Sequence, residues 1–427
     1  MATKRSLAPL VFCLSLAGAG CGGGGDDPAP APSAGSGGSS AGPKAGTSGG
    51  GGASGGSGGS SAPQAGSAGS PAGGEGGSPA GGEGGSPAGG AGGQAEMPDA
   101  GNMGGAAGMG GMGGANMPPP PATDLKVEEV FMIPGASGGA PHDPGVDFRG
   151  FAWWTDQGGS RLGYWNPAND ETNSYATPTP NCGVHGLVSD PDNNIWYTGQ
   201  ACGRIGRIDA TTRQLTDYVV PGGGSPHTPV FLDGIIWFTL QGAGRIGRLD
   251  TASPNDVQTF AVGPGPYGIW ISPTTKKLWV ALFPTNQIAE VDPANPGSPN
   301  RIDLPNAGSR PRRIAVDKNG HVYYTDYARR MLGRYDPETQ QFAEWPTPGG
   351  GQPYAITVGP PGDDRIYYGF SNRDTIAVFD PAKPMQEQIV VEVPLQHTSR
   401  HMTTDNERRR IWLGLSGARA VAYIQLP

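Results

Sequence analysis

Short apolar runs recur at a nearly constant interval along the C-terminal part of the chain. Each run has an apolar or β-branched residue, one or two aromatic residues, and then mostly small or hydroxyl residues. The seven runs are 152–155 (AWWT), 195–198 (IWYT), 236–239 (IWFT), 278–281 (LWVA), 322–325 (VYYT), 366–369 (IYYG) and 411–414 (IWLG). Their starts are separated by 43, 41, 42, 44, 44 and 45 residues. Runs of this composition predict β-strands, and a repeat of this length is typical of propellers and solenoids.

Three further runs complete a four-strand unit in each repeat. A second run follows the first after about ten residues and in most repeats closes on Asp, as in 204–209 (RIGRID) and 245–250 (RIGRLD). A third run ends before Pro or Gly, as in 215–221, and another apolar run opens each repeat. Asp, Pro and Gly at the ends of runs are turn residues. Four strands per repeat predict the blade of a β-propeller.

The two ends of the repeat region complement each other. The seventh repeat lacks an outermost strand, and the run 126–134 has the apolar content and the terminal Pro of that strand. We therefore predict an all-β fold: a seven-bladed β-propeller of four-stranded blades over residues 124–427, in which the N-terminal strand completes the last blade. Closure of this kind leaves no open sheet edge. An open β-sandwich would not require the two ends to match.

The preceding segment has a different composition. Of the 76 Gly in the chain, 39 lie in residues 21–120, and residues 70–93 are three near-copies of the unit SPAGGEGG. A segment with so few large apolar residues cannot offset its ordering entropy, so we predict a disordered linker over 21–123. It would act as a flexible spacer, although a low-complexity expansion without function predicts the same physical behaviour.

Residues 1–20 have the features of a secretory signal peptide. Lys4 and Arg5 precede an apolar run over 7–17, and small residues precede Cys21. The segment resembles a bacterial lipoprotein signal, which implies lipidation of Cys21 and anchoring in the cell envelope, for which we predict the outer membrane. Cleavage after Ala19 would instead release a secreted, soluble protein.

Charge and motifs limit the remaining possibilities. The net charge of −8 argues against electrostatic binding to nucleic acid or to an anionic membrane, so we expect membrane attachment through the lipid alone. We also expect the protein to be a monomer. No nucleotide fingerprint, serine nucleophile elbow or zinc-protease motif occurs. Cys182 and Cys202 fall at the same end of the second blade, and an oxidising compartment favours a disulfide between them over two free thiols.

One repeat position concentrates the candidate chemistry. With the seven repeat openings in register, it is occupied by His142, His185, His227, Tyr267, Arg312, Tyr354 and His401. We call this set the axial ring, because innermost strands line a propeller's axis and should bring these side chains to one mouth of the central channel. Arg310, Arg313 and Arg400 add positive charge nearby, which favours an anionic ligand such as a carboxylate or sugar acid. The alternative is that the His residues only bond neighbouring blades and the Arg residues pair with acids.

The repeat resembles the streptogramin lyases, also called virginiamycin B lyases. Segments 265–269 (GPYGI), 236–239 (IWFT) and 204–209 (RIGRID) carry the resemblance, which covers the whole repeat region. It implies a seven-bladed propeller and a carbon–oxygen lyase. Such an enzyme opens a cyclic depsipeptide ester by Mg²⁺-dependent elimination, with a His removing the proton.

The family's metal site carries over only in part. It uses a His at the repeat position of one blade and, in the next blade, Glu-x-His with a second Glu about fourteen residues on. The positions two before the four His are Ala140, Gly183, Ser225 and Ser399, so the first Glu is absent. The later positions are Asp156, Gly199, Leu240 and Leu415. The resemblance therefore implies His401 and His142 as catalytic residues and Asp156 as a Mg²⁺ ligand, one carboxylate short.

Because the family's metal site is incomplete, we expect a propeller that binds a ligand and does not catalyse the elimination. The expected ligand is a small molecule or glycan at the channel mouth. The binding residues would be His185, His227, Tyr267, Arg312, Tyr354 and Arg400. The alternative is an active Mg²⁺-dependent lyase.

Overall fold

The computed structural model describes residues 126–132, 140–392 and 399–427. The predicted signal peptide, Cys21 and the whole of the predicted linker lie outside these described residues. Within them, 28 β-strands form seven antiparallel four-stranded sheets, and a single turn of 3₁₀-helix covers Pro348–Gly350. The predicted all-β, seven-bladed propeller is therefore confirmed.

Blades 1 to 6 are four-stranded meanders that run from the innermost to the outermost strand. Blade 1 consists of β2 (Pro141–Val146), β3 (Ala152–Asp156), β4 (Arg161–Asn166) and β5 (Glu171–Ala176). Blade 2 consists of β6 (Val184–Ser189), β7 (Ile195–Gly199), β8 (Arg204–Ile208) and β9 (Leu215–Val219). Blade 3 consists of β10 (Pro226–Leu232), β11 (Ile235–Leu240), β12 (Arg245–Asp250) and β13 (Val257–Ala261).

The next three blades repeat this order. Blade 4 consists of β14 (Pro266–Ile271), β15 (Leu278–Leu282), β16 (Gln287–Val291) and β17 (Asn300–Asp303). Blade 5 consists of β18 (Pro311–Val316), β19 (Val322–Asp326), β20 (Met331–Asp336) and β21 (Gln341–Pro346). Blade 6 consists of β22 (Pro353–Val358), β23 (Ile366–Phe370), β24 (Thr375–Phe379) and β25 (Ile389–Glu392).

Blade 7 joins the two ends of the described chain. It consists of β26 (Ser399–Asp405), β27 (Arg410–Leu415), β28 (Ala420–Gln425) and β1 (Lys126–Met132). Strand β1 pairs antiparallel with β28, with Val130 opposite Ala422 and Met132 opposite Ala420. This pairing completes the last blade as the sequence predicts, and it covers the edge that β28 would otherwise expose.

The second strand of each blade is buried on both faces, because it packs against the blades on either side. All five residues of β3, β7, β15, β19 and β23 are buried. Trp196, for example, packs against Ile236 and Phe238 of the following blade. These contacts explain why the strands read as continuous apolar and aromatic runs instead of alternating ones.

A glycine in the third strand makes room for the aromatic residue beside it. A Cβ atom at Gly206 would lie 1.9 Å from the ring of Tyr197, and one at Gly247 would lie 2.1 Å from the ring of Phe238. The central Gly of the RIGRID and RIGRLD segments is therefore a packing requirement of the blade.

Threonines at the end of the second strand connect successive blades. The Thr155 hydroxyl accepts a hydrogen bond from the backbone N–H of Asp143 and donates one to the carbonyl of His185 in the next blade, at 2.9 and 2.6 Å. Thr198 does the same between Gly186 and His227. These bonds fix the opening of each innermost strand relative to its neighbour.

Cys182 and Cys202 are joined by a disulfide, with their Cα atoms 4.5 Å apart. The bond links the segment before β6 to the turn after β7 in the same blade. Among the described residues, no helix has the length and apolar character needed to cross a membrane.

Candidate functional site at the channel axis

The innermost strand of every blade has a register shift near its start. The shift lies between Pro141 and Pro144 in β2, and an equivalent irregularity occurs in β6, β10, β14, β18, β22 and β26. Such an irregularity re-aims side chains within a strand. In blade 1 it brings two consecutive residues, His142 and Asp143, into one buried cluster, with 2% and 0% of their surface exposed.

Three imidazoles and a phenol of the axial ring pack against one another around the axis, each ring tilted relative to the next. The ring centroids of His142 and His185 are 3.8 Å apart, those of His185 and His227 are 3.7 Å apart, and those of His227 and Tyr267 are 4.0 Å apart. All four side chains are buried. The structure therefore brings together the histidines that the repeat register places on neighbouring blades.

Asp143 is the carboxylate at the centre of this cluster. His142 Nδ1 donates a 2.6 Å hydrogen bond to Asp143 Oδ1, and Arg313 Nη2 of blade 5 lies 3.5 Å from the same oxygen. His401 Nδ1 of blade 7 lies 3.6 Å from Oδ2. Burial alone would raise the pKa of Asp143, but its interactions with His401 and Arg313 and the bond from His142 hold that pKa well below its usual range.

Burial keeps the four histidines of the axial ring neutral. It lowers the pKa of His401 to about 3 despite the opposing effect of Asp143. Burial also lowers the pKa of His142, and it lowers the pKa values of His185 and His227 well below the usual value. Neutral imidazoles keep one lone pair free of a proton, so these rings can accept a hydrogen bond or bind a metal.

Arg312 is held in a cage of aromatic rings on the other side of the axis. Its guanidinium carbon lies 4.0 Å from the ring centroid of Tyr354, 4.6 Å from that of Tyr327, 4.9 Å from that of Phe283 and 5.0 Å from that of Tyr267. Cation–π contacts of this kind stabilise the charge where water is scarce.

The phenols of Tyr267 and Tyr354 meet beneath this guanidinium. Their hydroxyls are 2.5 Å apart, and Arg312 Nη2 donates to both, at 3.2 and 3.1 Å. Burial would raise the pKa of Tyr354, but the charges of Arg312, Arg313 and Arg400 outweigh it and lower that pKa. This side of the axis therefore has a positive electrostatic potential.

Asp156 has a different environment from Asp143. It lies at the end of β3, where its Oδ1 accepts backbone hydrogen bonds from Ala140 and Gly159 at 2.8 and 3.0 Å, and its buried Oδ2 has no hydrogen-bond partner among the described residues. The equivalent Asp326 of blade 5 likewise accepts from backbone N–H groups. Asp156 thus supports a loop. The potential metal ligands that cluster among the described residues are His142, Asp143 and His185, and Asp156 is not one of them.

Solvent reaches only part of the axial ring. His142, His185, His227, Tyr267 and Tyr354 are buried. His401, Arg312 and Arg400 are partly exposed, and Arg400 Nε donates to Ser416 Oγ at 3.0 Å. These three side chains are the ones that an incoming ligand would meet first.

The residues present do not fit the Mg²⁺ site of the family. Mg²⁺ prefers carboxylate and water oxygens in tight octahedral geometry. Asp143 is the one carboxylate in the buried ligand group that the described residues form, and its Oδ1 already interacts with His142 and Arg313. The site is rich in nitrogen and adjoins a fixed cation, both of which disfavour Mg²⁺.

Sequence reasoning did not identify Asp143 as a site residue. It follows the repeat position directly, and strict alternation along a strand would turn it away from the axis. The position after the repeat position is occupied by Asp143, Gly186, Thr228, Gly268, Arg313, Ala355 and Met402. Asp143 and Arg313 are the only charged residues at this position of the seven repeats. That contrast is the sequence signal that could have identified them as an interacting pair.

Comparison with known proteins agrees with the resemblance seen in the sequence. Residues 137–263 match the model of the virginiamycin B lyase family, which confirms that resemblance. No curated protein matches the chain.

Solved structures share the fold at low identity. Selenomethionine-substituted virginiamycin B lyase from Staphylococcus aureus has a TM-score of 0.63 at 19% identity, covering 70% of this chain and 99% of that one. A streptogramin B lyase structure has a TM-score of 0.62 at 18% identity, covering 70% and 98%. The hydrazine synthase of Kuenenia stuttgartiensis has a TM-score of 0.59 at 14% identity, covering 69% and 99%. A fold shared by proteins with such different names does not determine the chemistry.

Proposed function

We propose, from the premise that residues 137–263 match the virginiamycin B lyase family, that this protein is a ligand-binding member that does not perform the family's elimination. In this proposal a monomeric propeller, exported and tethered to the outer membrane through Cys21, binds a carboxylate-bearing small molecule or glycan at the channel mouth. Arg312, Arg400 and His401 make the first contacts.

The state of the carboxylates supports this proposal most directly. The elimination needs Mg²⁺ held by acids, but Asp143 already pairs with Arg313 and accepts a hydrogen bond from His142, and Asp156 accepts backbone hydrogen bonds that support a loop. Arg312 is held by aromatic rings and by the hydroxyls of Tyr267 and Tyr354, and no ion pair with an acid is found for it in the described part of the chain. Its charge favours an anionic ligand at the channel mouth.

Binding can be tested with D-glucuronate as the probe and D-glucose as its uncharged counterpart. The full chain carrying Cys21→Ser would be titrated with both by calorimetry. We expect glucuronate to bind more tightly than glucose, and Arg400→Gln to weaken glucuronate binding about tenfold, because a charge-assisted hydrogen bond is lost. The matched control is Arg301→Gln, an exposed position on the outermost strand of blade 4.

Two results would contradict the proposal. One is equal binding of glucuronate and glucose, which would remove the role of charge. The other is an equal loss of affinity in Arg400→Gln and Arg301→Gln, which would place binding away from the channel mouth.

An active lyase is the second candidate, and the family match favours it. One similar solved structure is a catalytically inactive variant of virginiamycin B lyase with quinupristin, at 18% identity and a TM-score of 0.62. Quinupristin and Mg²⁺ therefore form the assay, followed by mass measurement of the products. We expect no turnover. A linear product with the mass of the intact ring that is absent with His401→Ala would establish elimination and replace our proposal.

A further inference from the structure

Three side chains at the axis offer ligand atoms close to one another. One atom each from His142, Asp143 and His185 lie within 4.8 Å of one another, and all three residues are buried. They come from the innermost strands of two adjacent blades, which the Thr155 bridge holds in register. The grouping therefore rests on the most constrained part of the propeller.

Two of these buried residues have polar atoms without a hydrogen bond. Asp143 Oδ2 and His185 Nδ1 have no hydrogen-bond partner in the described part of the chain. Leaving a buried carboxylate oxygen and an imidazole nitrogen unsatisfied is costly, so these two atoms are available to bind a water or an ion. His401 Nδ1, 3.6 Å from Asp143 Oδ2, is also without a hydrogen bond among these residues.

The contact between His142 and Asp143 already brings two candidate ligand atoms together. His142 Nδ1 donates to Asp143 Oδ1 at 2.6 Å. Nε2 of the same ring points away from Asp143, so an ion shared by the two residues must bind at Nδ1, with the proton of that nitrogen moved to Nε2. Arg313 interacts with Oδ1, which leaves Oδ2 available.

The ligand chemistry indicates which metal would bind. Two imidazoles and one carboxylate suit Zn²⁺ and neighbouring transition metals, whereas Mg²⁺ and Ca²⁺ require oxygen. Ligand atoms at about 2.0–2.1 Å from a tetrahedral Zn²⁺ lie roughly 3.3 Å apart. The present atoms would need to move inward only modestly. The charge of Arg313 opposes a second cation, so we expect moderate affinity.

We propose that the channel mouth holds one transition-metal dication of the Zn²⁺ type, with His142, His185 and Asp143 as ligands. His401, the partly exposed histidine beside Asp143, lies on the side from which the ion would enter. This proposal does not depend on the anion-binding function above, since its ligands are the buried residues.

The test uses the full chain carrying Cys13→Ser and Cys21→Ser, so that neither thiol binds metal. The chelator-treated protein would be titrated with Co²⁺, whose visible absorption reports four- or five-coordinate binding. We expect one equivalent to bind, and we expect Zn²⁺ but not excess Mg²⁺ to displace it. His185→Ala and Asp143→Asn should each abolish the absorption, because each removes one of the three protein ligands.

The matched control is His321→Ala. His321 lies outside the axial ring, in the turn before β19, and its Nδ1 is already bonded to Asp317 Oδ2 at 2.9 Å. We expect this variant to bind Co²⁺ as the parent protein does. No visible absorption in the parent protein, or an equal loss in His321→Ala and His185→Ala, would overturn the proposal.

A second measurement uses only the parent protein, so it gives a result even if the variants fail to fold. Crystals of the parent protein soaked with Zn²⁺ would be measured on both sides of the zinc absorption edge. An anomalous peak among His142, Asp143 and His185 supports the site. A peak only at another histidine, such as the half-buried His321, contradicts it.

Discussion

The carboxylate of Asp143 in blade 1 faces the guanidinium of Arg313 in blade 5 at 3.5 Å. Both side chains are buried, with 0% and 2% of their surface exposed. Arg313 also donates to the Thr228 hydroxyl of blade 3 at 3.0 Å. A single guanidinium thus connects three blades that are not adjacent to one another.

We expect the loss of either charge of this pair to destabilise the fold strongly. Asp143→Asn or Arg313→Met leaves the partner charge buried without compensation, at a cost of about 3–5 kcal/mol in the free energy of unfolding. The double variant should cost less than the sum of the two. Urea unfolding monitored by tryptophan fluorescence measures all three.

The exposed ion pair of Lys318 and Asp364 serves as the control, with its side chains 64% and 56% exposed. Its removal should cost about 0–1 kcal/mol. If Asp143→Asn cost no more than Asp364→Asn, the axial pair would not support the fold.

The buried histidines should make the protein sensitive to acid. Because burial lowers the pKa of His142, His185, His227 and His401, these rings stay neutral in the folded protein while the unfolded chain takes up protons below about pH 6.5. Stability therefore falls as the pH decreases through this range, by about 1.4 kcal/mol per pH unit for each histidine. For His401 the decrease continues to about pH 3, where the folded protein also binds the proton.

Proton uptake on unfolding in the presence of a chelator measures this effect. His227→Gln should reduce the uptake near pH 5 by about one proton, because one buried neutral imidazole is removed. Its neighbours His185, Arg312 and Arg313 all disfavour protonation of His227 in the folded state. An unchanged uptake would show that His227 is already protonated in the folded protein.

The glycine of the third strand should resist substitution by alanine. A methyl group at Gly206 would meet the Tyr197 ring at 1.9 Å, so Gly206→Ala should cost about 1–3 kcal/mol through overpacking. Gly297→Ala is the matched control, since a Cβ there meets no atom within 4 Å. Thermal unfolding compares the two, and equal midpoints would refute the packing requirement.

Cys21→Ser should release the protein from the membrane. If Cys21 carries the lipid, the parent protein sediments with membranes and takes up radiolabelled palmitate, and the variant does neither. Cys13→Ser, which changes a cysteine inside the predicted signal peptide, should behave as the parent protein. A parent protein found entirely in the soluble fraction would favour cleavage after Ala19.

The repeat pattern was sufficient for the fold because it follows from local and neighbouring contacts. Runs such as 195–198 do not alternate between apolar and polar residues because both faces of β7 are covered. Glycine occupies the position of Gly206 in four blades because an aromatic ring lies over it. The second strand is covered on both faces in every blade, so seven copies of a weak signal add to a strong one. The role of β1 also followed from the sequence, since blade 7 lacks a strand that the run 126–134 could supply.

The sequence alone determined the seven-bladed propeller, its closure and the clustering of histidines at one repeat position. Only the tertiary structure decided which charges meet at the axis. Asp143 and Arg313 are 170 positions apart, and their contact depends on the irregularity at the start of β2 and on the position of blade 5 in the ring. Regular alternation along β2 would turn only one of two consecutive side chains toward the axis. The register shift turns both His142 and Asp143 toward it. A contact across the axis joins distant repeats, so no spacing within a single repeat encodes it.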